Sequence, residues 1–190
     1  TFVAAAGTTI NFANGTFILN AGTPDFSGAG TIQFTSGGQV RFTVPITSFN
    51  LSGGELTGTN TVTGVMNLSG GAISGVVTVA TNGTLNLTGV GAKTLSGVVT
   101  NYGTTVWSAG DFYLSGGKFY NQPGGLFDIQ SNQTLVPSGA GEAFYNAGLF
   151  RKSAGAGVSF IQVPFYSTGS VIEPRTGLLS FAGDLNLLTS

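Results

Sequence analysis

The side chains able to do acid–base chemistry are few, and their spacing decides what they could attempt. Four of them, Asp111, Lys118, Asp128 and Arg151, fall in one stretch of the chain. A glycosidase needs two carboxyl groups about 5–10 Å apart, and a lyase needs a base beside a charge-neutralising Arg or metal. If those four residues share one outer face of the fold, they form a polysaccharide-cleaving site. Against this, the chain holds only seven Asp and Glu, scattered and in no close cluster, with six Lys and Arg, no His and no Cys. The commonest general base, the commonest metal ligand and the thiolate ligands are therefore all missing. The residues point to a non-catalytic protein with no cofactor and no metal, in which Asp128 and Arg151 form an ordinary ion pair.

Binding is the other chemistry these residues offer. Three copies of one phrase stand at Phe119-Tyr120-Asn121, Phe144-Tyr145-Asn146 and Phe165-Tyr166-Ser167. If the Phe side chains point inward, alternation turns Tyr120, Tyr145 and Tyr166 outward as a stripe for a glycan or a partner surface. Asn121 and Asn146 are expected to cap corners by bonding to backbone. Thr84 and Thr104 share a column of the kind that meets a regular lattice such as ice, but Leu126 and Leu149 follow and break it. Asn-X-Ser/Thr triplets stand at Asn14, Asn50, Asn67, Asn82, Asn86 and Asn132. Four belong to the repeat phrases, so turn chemistry explains them without sugar. A net charge of −1 gives no attraction for nucleic acid or an acidic membrane surface. No apolar run approaches the roughly 18 residues needed to cross a bilayer.

The elements that must position these residues are short strands punctuated by glycine. Gly7-Thr8-Thr9-Ile10-Asn11-Phe12 and Gly30-Thr31-Ile32-Gln33-Phe34 alternate with Ile10/Phe12 and Ile32/Phe34 on one face. The step from Gly7 to Gly30 equals the step from Gly15 to Gly38, so two strands recur together. Asn50-Leu51-Ser52-Gly53-Gly54 returns as Asn67-Leu68-Ser69-Gly70-Gly71 after a shorter step, which implies tighter corners there. Such returns mark a coil that lays each turn on the last, so equivalent side chains form columns. Glycines this frequent exclude a helix of normal length, each costing about 1 kcal/mol relative to Ala in a helix interior.

From residue 80 the register aligns on Gly83, Gly103, Gly125, Gly148 and Gly169, which follow one another at nearly even steps. Leu85, Thr105, Phe127, Phe150 and Val171 then face inward, and Asp128 and Arg151 meet outward on adjacent turns. In this alignment Lys152 and Glu173 share a column that holds Leu87, Trp107 and Ile129 in earlier turns. Either the column bends outward or the pair is partly buried. Pro174, which interrupts a strand, favours the bend.

The fold expected is all-β: a single domain over residues 1–190, coiled into a parallel β-helix of about nine turns of 17–25 residues. With about 4.8 Å between paired strands, it makes a rod on the order of 40 Å long. The Leu-Ser-Gly-Gly, Asn-Gly-Thr-Leu and Phe-Tyr-Asn-Ala-Gly phrases, in a chain without Cys or His, resemble the degenerate repeats of secreted bacterial β-helix proteins. Autotransporter passengers and filamentous-haemagglutinin-like adhesins are the nearest kinds. The resemblance implies a right-handed, single-stranded β-helix, a secreted or cell-surface location and an adhesive or scaffolding role. It carries no catalytic residue over to this chain.

Both ends of the sequence are apolar, with Phe2-Val3 at one and Leu185-Asn186-Leu187-Leu188 at the other, and neither offers a polar or helical cap. The opening Thr1-Phe2-Val3-Ala4-Ala5-Ala6 also lacks the basic start of a signal peptide, as a mature terminus or a cut within a longer chain would. Uncapped solenoid ends expose unpaired strand edges, so head-to-tail stacking onto further repeats or onto another copy is expected.

Overall fold

A computed structural model describes residues 2–19, 26–27, 29–35 and 37–188. Among them there are 26 strands and no helix, and every strand pairing is parallel. Successive strands fall in rotation onto three faces, so the chain winds as a three-sided β-solenoid. The first face is the nine-stranded sheet that starts at Gly15–Leu19 and ends at Leu178–Phe181. The second carries Val76–Val79, Val98–Asn101, Lys118–Asn121, Ala143–Asn146, Phe165–Thr168 and Leu185–Leu188. The third carries Thr84–Leu87, Thr104–Trp107, Leu126–Ile129, Leu149–Lys152 and Val171–Pro174. One strand, Thr59–Leu68, runs round the corner between the second and third faces and joins them into one sheet.

The coil makes about eight turns, one fewer than the repeat spacing suggests. Its turns are uneven: one passes from Gln39 to Glu55, whereas another needs the much longer run from Leu135 to Ile161. Most strands keep to about the same length, and the corners absorb the difference.

Alternation inside each strand builds the interior. Thr84–Leu87, Thr104–Trp107 and Lys118–Asn121 each bury every second residue. The inward residues stack turn upon turn. Phe119 lies on Phe144 at 4.9 Å with ring planes 5° apart, and Phe144 lies on Phe165 at 5.1 Å. Phe127 and Phe150 form a second column at 5.2 Å, which meets the first edge to face, with Phe119 and Phe127 at 5.1 Å and 86°. Such aromatic pairs add roughly 0.5–1.5 kcal/mol each beyond area burial. A similar group, Phe12, Phe17, Phe34 and Phe49, fills the earlier turns.

Corners must pack as tightly as strands, and the glycine column shows why. A Cβ at Gly103 would lie 2.2 Å from the Ala80 carbonyl oxygen, and one at Gly148 would lie 2.4 Å from that of Gly125. Any larger residue there would push successive turns apart. The column runs Gly83, Gly103, Gly125, Gly148, as the spacing predicts, but its next member is Ser170 and not Gly169. Leu149 pairs with Val171, and the Val171 N–H donates to the Gly148 carbonyl at 3.1 Å. The corner Thr168-Gly169-Ser170 holds one residue more than Ala147-Gly148, which shifts the alignment by one. At the start of the chain Thr9 pairs with Thr31, so the Gly7 to Gly30 step is likewise one residue out there. Gly15 does pair with Gly38.

Candidate functional site

Of the four residues that could have formed a cleavage site, Asp111 and Lys118 lie on other elements than Asp128 and Arg151. Lys118 opens a strand of the second face, whereas Asp128 and Arg151 lie on the third. Asp111 sits at the corner leading to the first face, where its Oδ1 accepts from the Thr134 N–H at 2.8 Å. Among the described residues no three His, Cys, Asp or Glu side chains lie close enough together to hold a metal ion.

Asp128 and Arg151 do meet. Arg151 is directly below Asp128 in the ladder, and the pair is closed over by its neighbours, with side-chain exposures of 4% for Asp128 and 19% for Arg151. Burial pushes the Asp128 carboxyl up. Hydrogen bonds from Arg151, Gln130 and Ser153, with the Arg151 charge, outweigh that and hold it below the usual carboxylate range. The same hydrogen bond and charge hold the Arg151 guanidinium above its ordinary value.

Lys152 and Glu173 do not share a column. The longer corner before Val171 sets Glu173 beside Arg151 and brings Pro174 against Lys152. Glu173 pairs instead with Arg175 at 3.0 Å on the surface. The outward bend expected for Lys152 is also absent: its side chain is fully buried, below Leu87, Trp107 and Ile129. Its ammonium donates to the Ser131 carbonyl at 2.6 Å, the Ala154 carbonyl at 3.0 Å, Ser159 Oγ at 2.9 Å and Asn132 Oδ1 at 3.2 Å. Four neutral acceptors thus replace water, although burial still lowers its pKa.

Lys93 is a second caged ammonium, one that sequence patterning did not single out. It is fully buried and donates to the carbonyls of Gly89, Gly91 and Ala109 at 2.8–2.9 Å. Burial pulls its pKa down to about 8, and the charge of Asp111 opposes this. The signal was present, since Leu95 faces inward and Lys93 is two residues before it.

Two amide ladders run along the axis. Inside the corner between the second and third faces, Asn101 Nδ2 donates to Asn121 Oδ1 at 2.9 Å, and Asn121 Nδ2 donates to Asn146 Oδ1 at 2.8 Å. Asn101 and Asn121 also donate to the Leu126 and Leu149 carbonyls, in keeping with a corner-capping role. The ladder stops at Asn146, where the longer corner begins: its Nδ2 has no partner among the described residues, so the backbone cap expected of Asn146 is not made. Outside the third face, Asn67 donates to Asn50 at 2.6 Å and Asn86 to Asn67 at 2.8 Å. These three Asn residues open Asn-X-Ser/Thr triplets. Asn50, Asn67, Ser52, Ser69 and Thr88 line one side of an uncharged groove of about 520 Å³ of mixed polar and apolar surface, which Thr31, Ile32 and Gln33 also border.

Tyr120, Tyr145 and Tyr166 occupy one outward column of the second face, half-buried, in register with each other. Their rings stack along the rod axis, at 4.7 Å and 7° for the first pair and 5.0 Å and 15° for the second. Stacking therefore covers both faces of Tyr145 and one face each of Tyr120 and Tyr166. What the column presents to solvent is ring edges and hydroxyl groups. Thr84, Thr104, Leu126 and Leu149 form a column of the third face, so the Thr pair is cut off by leucine, as the sequence indicates.

No known protein family matches the chain, and neither a curated protein nor a solved structure does so. Function has to be argued from the solenoid itself.

Proposed function

We propose that this chain is a non-catalytic structural module of an extracellular rod, secreted or held at a cell surface. In this reading each end of the solenoid mates with a further turn of the same kind, in the same chain or in another copy. The observation that carries it is the state of the last rung. Leu185 and Leu187 lie in the inward columns below Phe165 and Ser167, yet both are exposed. Unpaired strand edges accompany these open columns, and a second turn would satisfy both at once. Separation of Asp111, Lys118 and the Asp128–Arg151 pair onto different parts of the prism supports the non-catalytic half of the reading over a polysaccharide-degrading enzyme. The broken Thr column gives no support to a lattice-binding role.

Docking of glycans or other surfaces on an outer face is the adhesive part of the proposal. The uncharged groove of Asn50, Asn67, Ser69 and Thr88 suits sugar hydroxyls, because amide and hydroxyl groups both donate and accept.

Sedimentation velocity and electron microscopy across a concentration range test the rod. Association that weakens when Leu185 and Leu187 are both changed to Lys is the expected result. A monomer at every concentration, with its last strands protected from hydrogen exchange, would refute end-to-end mating.

A further inference from the structure

The tyrosine column, expected from the sequence to serve a glycan or a partner surface, borders a groove that the end-to-end rod does not use. Tyr120, Tyr145 and Tyr166 form one wall, and the next outward column, with Ala147, Thr168 and Leu188, forms the other. The groove holds about 250 Å³, runs parallel to the rod axis and has no charged residue among the described residues of its lining. Three rungs at about 4.8 Å each give it a length of roughly 14 Å.

Ring orientation decides what fits. Sugars and flat ligands commonly bind tyrosine by lying on its face, but here a neighbouring tyrosine covers both faces of Tyr145 and one face each of Tyr120 and Tyr166. The exposed edges carry the positive part of the aromatic quadrupole, and a positive edge packs best against the negative face of another π system. A ligand lying along this comb would meet three ring edges in succession if it is flat and long enough to span three rungs. A puckered sugar chain presents no such face. A charged ligand would find no counter-charge in the groove.

From this geometry we propose that the groove is a binding site for an elongated, planar, uncharged conjugated aromatic molecule. It lies along the rod axis, edge-to-face with Tyr120, Tyr145 and Tyr166. Leu188 is the one lining residue on the terminal strand, and the three tyrosines stand on earlier rungs, so their substitution tests the site separately from end-to-end mating.

The test uses the flavonol quercetin, kept neutral at mildly acidic pH, as the planar probe. Catechin, which carries similar hydroxylated rings without planar conjugation, is the control, and cellohexaose is the sugar arm. Binding is followed by calorimetry on the wild type and two triple variants. Changing Tyr120, Tyr145 and Tyr166 all to Thr extends the Thr78 and Thr100 column that already precedes them, so the fold tolerates it. Changing all three to Phe keeps the edges and removes the hydroxyl groups.

Quercetin is expected to bind one per chain, with catechin at least about tenfold weaker. The Thr variant should lose at least about tenfold in affinity, and the Phe variant should stay within about threefold of wild type. Quercetin binding unchanged in the Thr variant would place the ligand elsewhere and overturn the proposal, as would no binding at all. Equal binding of catechin, loss in the Phe variant, or cellohexaose bound in preference would overturn it too, since each points to hydroxyl recognition.

Discussion

Arg151 grips Asp128 with two parallel hydrogen bonds, Nε to Oδ1 at 3.0 Å and Nη2 to Oδ2 at 3.0 Å. The fork geometry ties adjacent turns of the third face together from outside, as the Phe columns do from within. Changing Arg151→Met leaves a covered carboxylate without its cation, and a loss of about 2–3 kcal/mol is expected in urea denaturation. The sign of the pH effect follows from the lowered Asp128 pKa. This pair's contribution is complete above the unfolded carboxyl value of about 3.9, and it fades as pH falls through the lower folded value. The Asp128→Asn variant should therefore lose part of the acid sensitivity that the wild type shows as pH falls below about 4. An identical acid profile in the two proteins would show that the pair does not titrate as argued.

Lys93 shifts stability in the same direction with pH, but in the alkaline range and because its charge is disfavoured by burial. Its folded pKa of about 8 lies below the value near 10.4 of an unfolded lysine, so between the two the unfolded chain holds more protons. Stability from this group accordingly rises as pH increases from about 8 towards 10, because the cost of burying the charge is relieved. Denaturation midpoints at pH 7.5 and 9.5, compared between the wild type and Lys93→Met, measure it: the variant should show the flatter response.

Lys152 shares the three N–H donors of its ammonium among four acceptors, and no methylene chain can do that. Changing it to Met keeps the volume but leaves the Ala154 carbonyl without its donor and Ser159 Oγ with one partner fewer. A loss of about 1–3 kcal/mol is expected, read from thermal unfolding. A Met variant as stable as wild type would mean that relief of charge burial cancels the orphaned acceptors.

Gly148 and Gly141 separate two reasons for glycine. A methyl at Gly148 would meet backbone oxygens of Gly125 and Gln122 at 2.4 and 2.5 Å, which cannot move without parting two turns. Gly148→Ala should cost about 3 kcal/mol or more. At Gly141 a methyl meets nothing within 4 Å, and only its φ of +78° resists a side chain, so Gly141→Ala should cost about 1–2 kcal/mol. Parallel chemical melts of the two variants give the comparison.

Sequence periodicity made the Phe119, Phe144 and Phe165 column and its tyrosine partner legible, because both recur at one fixed offset within a strand. The same reasoning failed at Glu173. Corner length is not constrained by alternation, and one extra residue beside Gly169 moved every later assignment by one place. Lys93 and Lys152 both fall at inward positions by period two, but a charged side chain argues for the outside, and periodicity does not tell that corner carbonyls converge on each ammonium. Edge-on presentation of Tyr145 was equally out of reach, since period two fixes which way a side chain points but not how its ring turns.

The hydrogen bonds between turns run along the rod, while the strands run across it. Tension applied to the two ends of the coil would therefore load those ladders one rung at a time and peel the chain like thread from a spool. Each rung freed would release roughly 75 Å of slack for a turn of about 22 residues. A sideways pull across one face would instead shear several ladders together and meet much greater resistance. Built this way, the protein is stiff against crosswise forces and lengthens in discrete steps under axial ones.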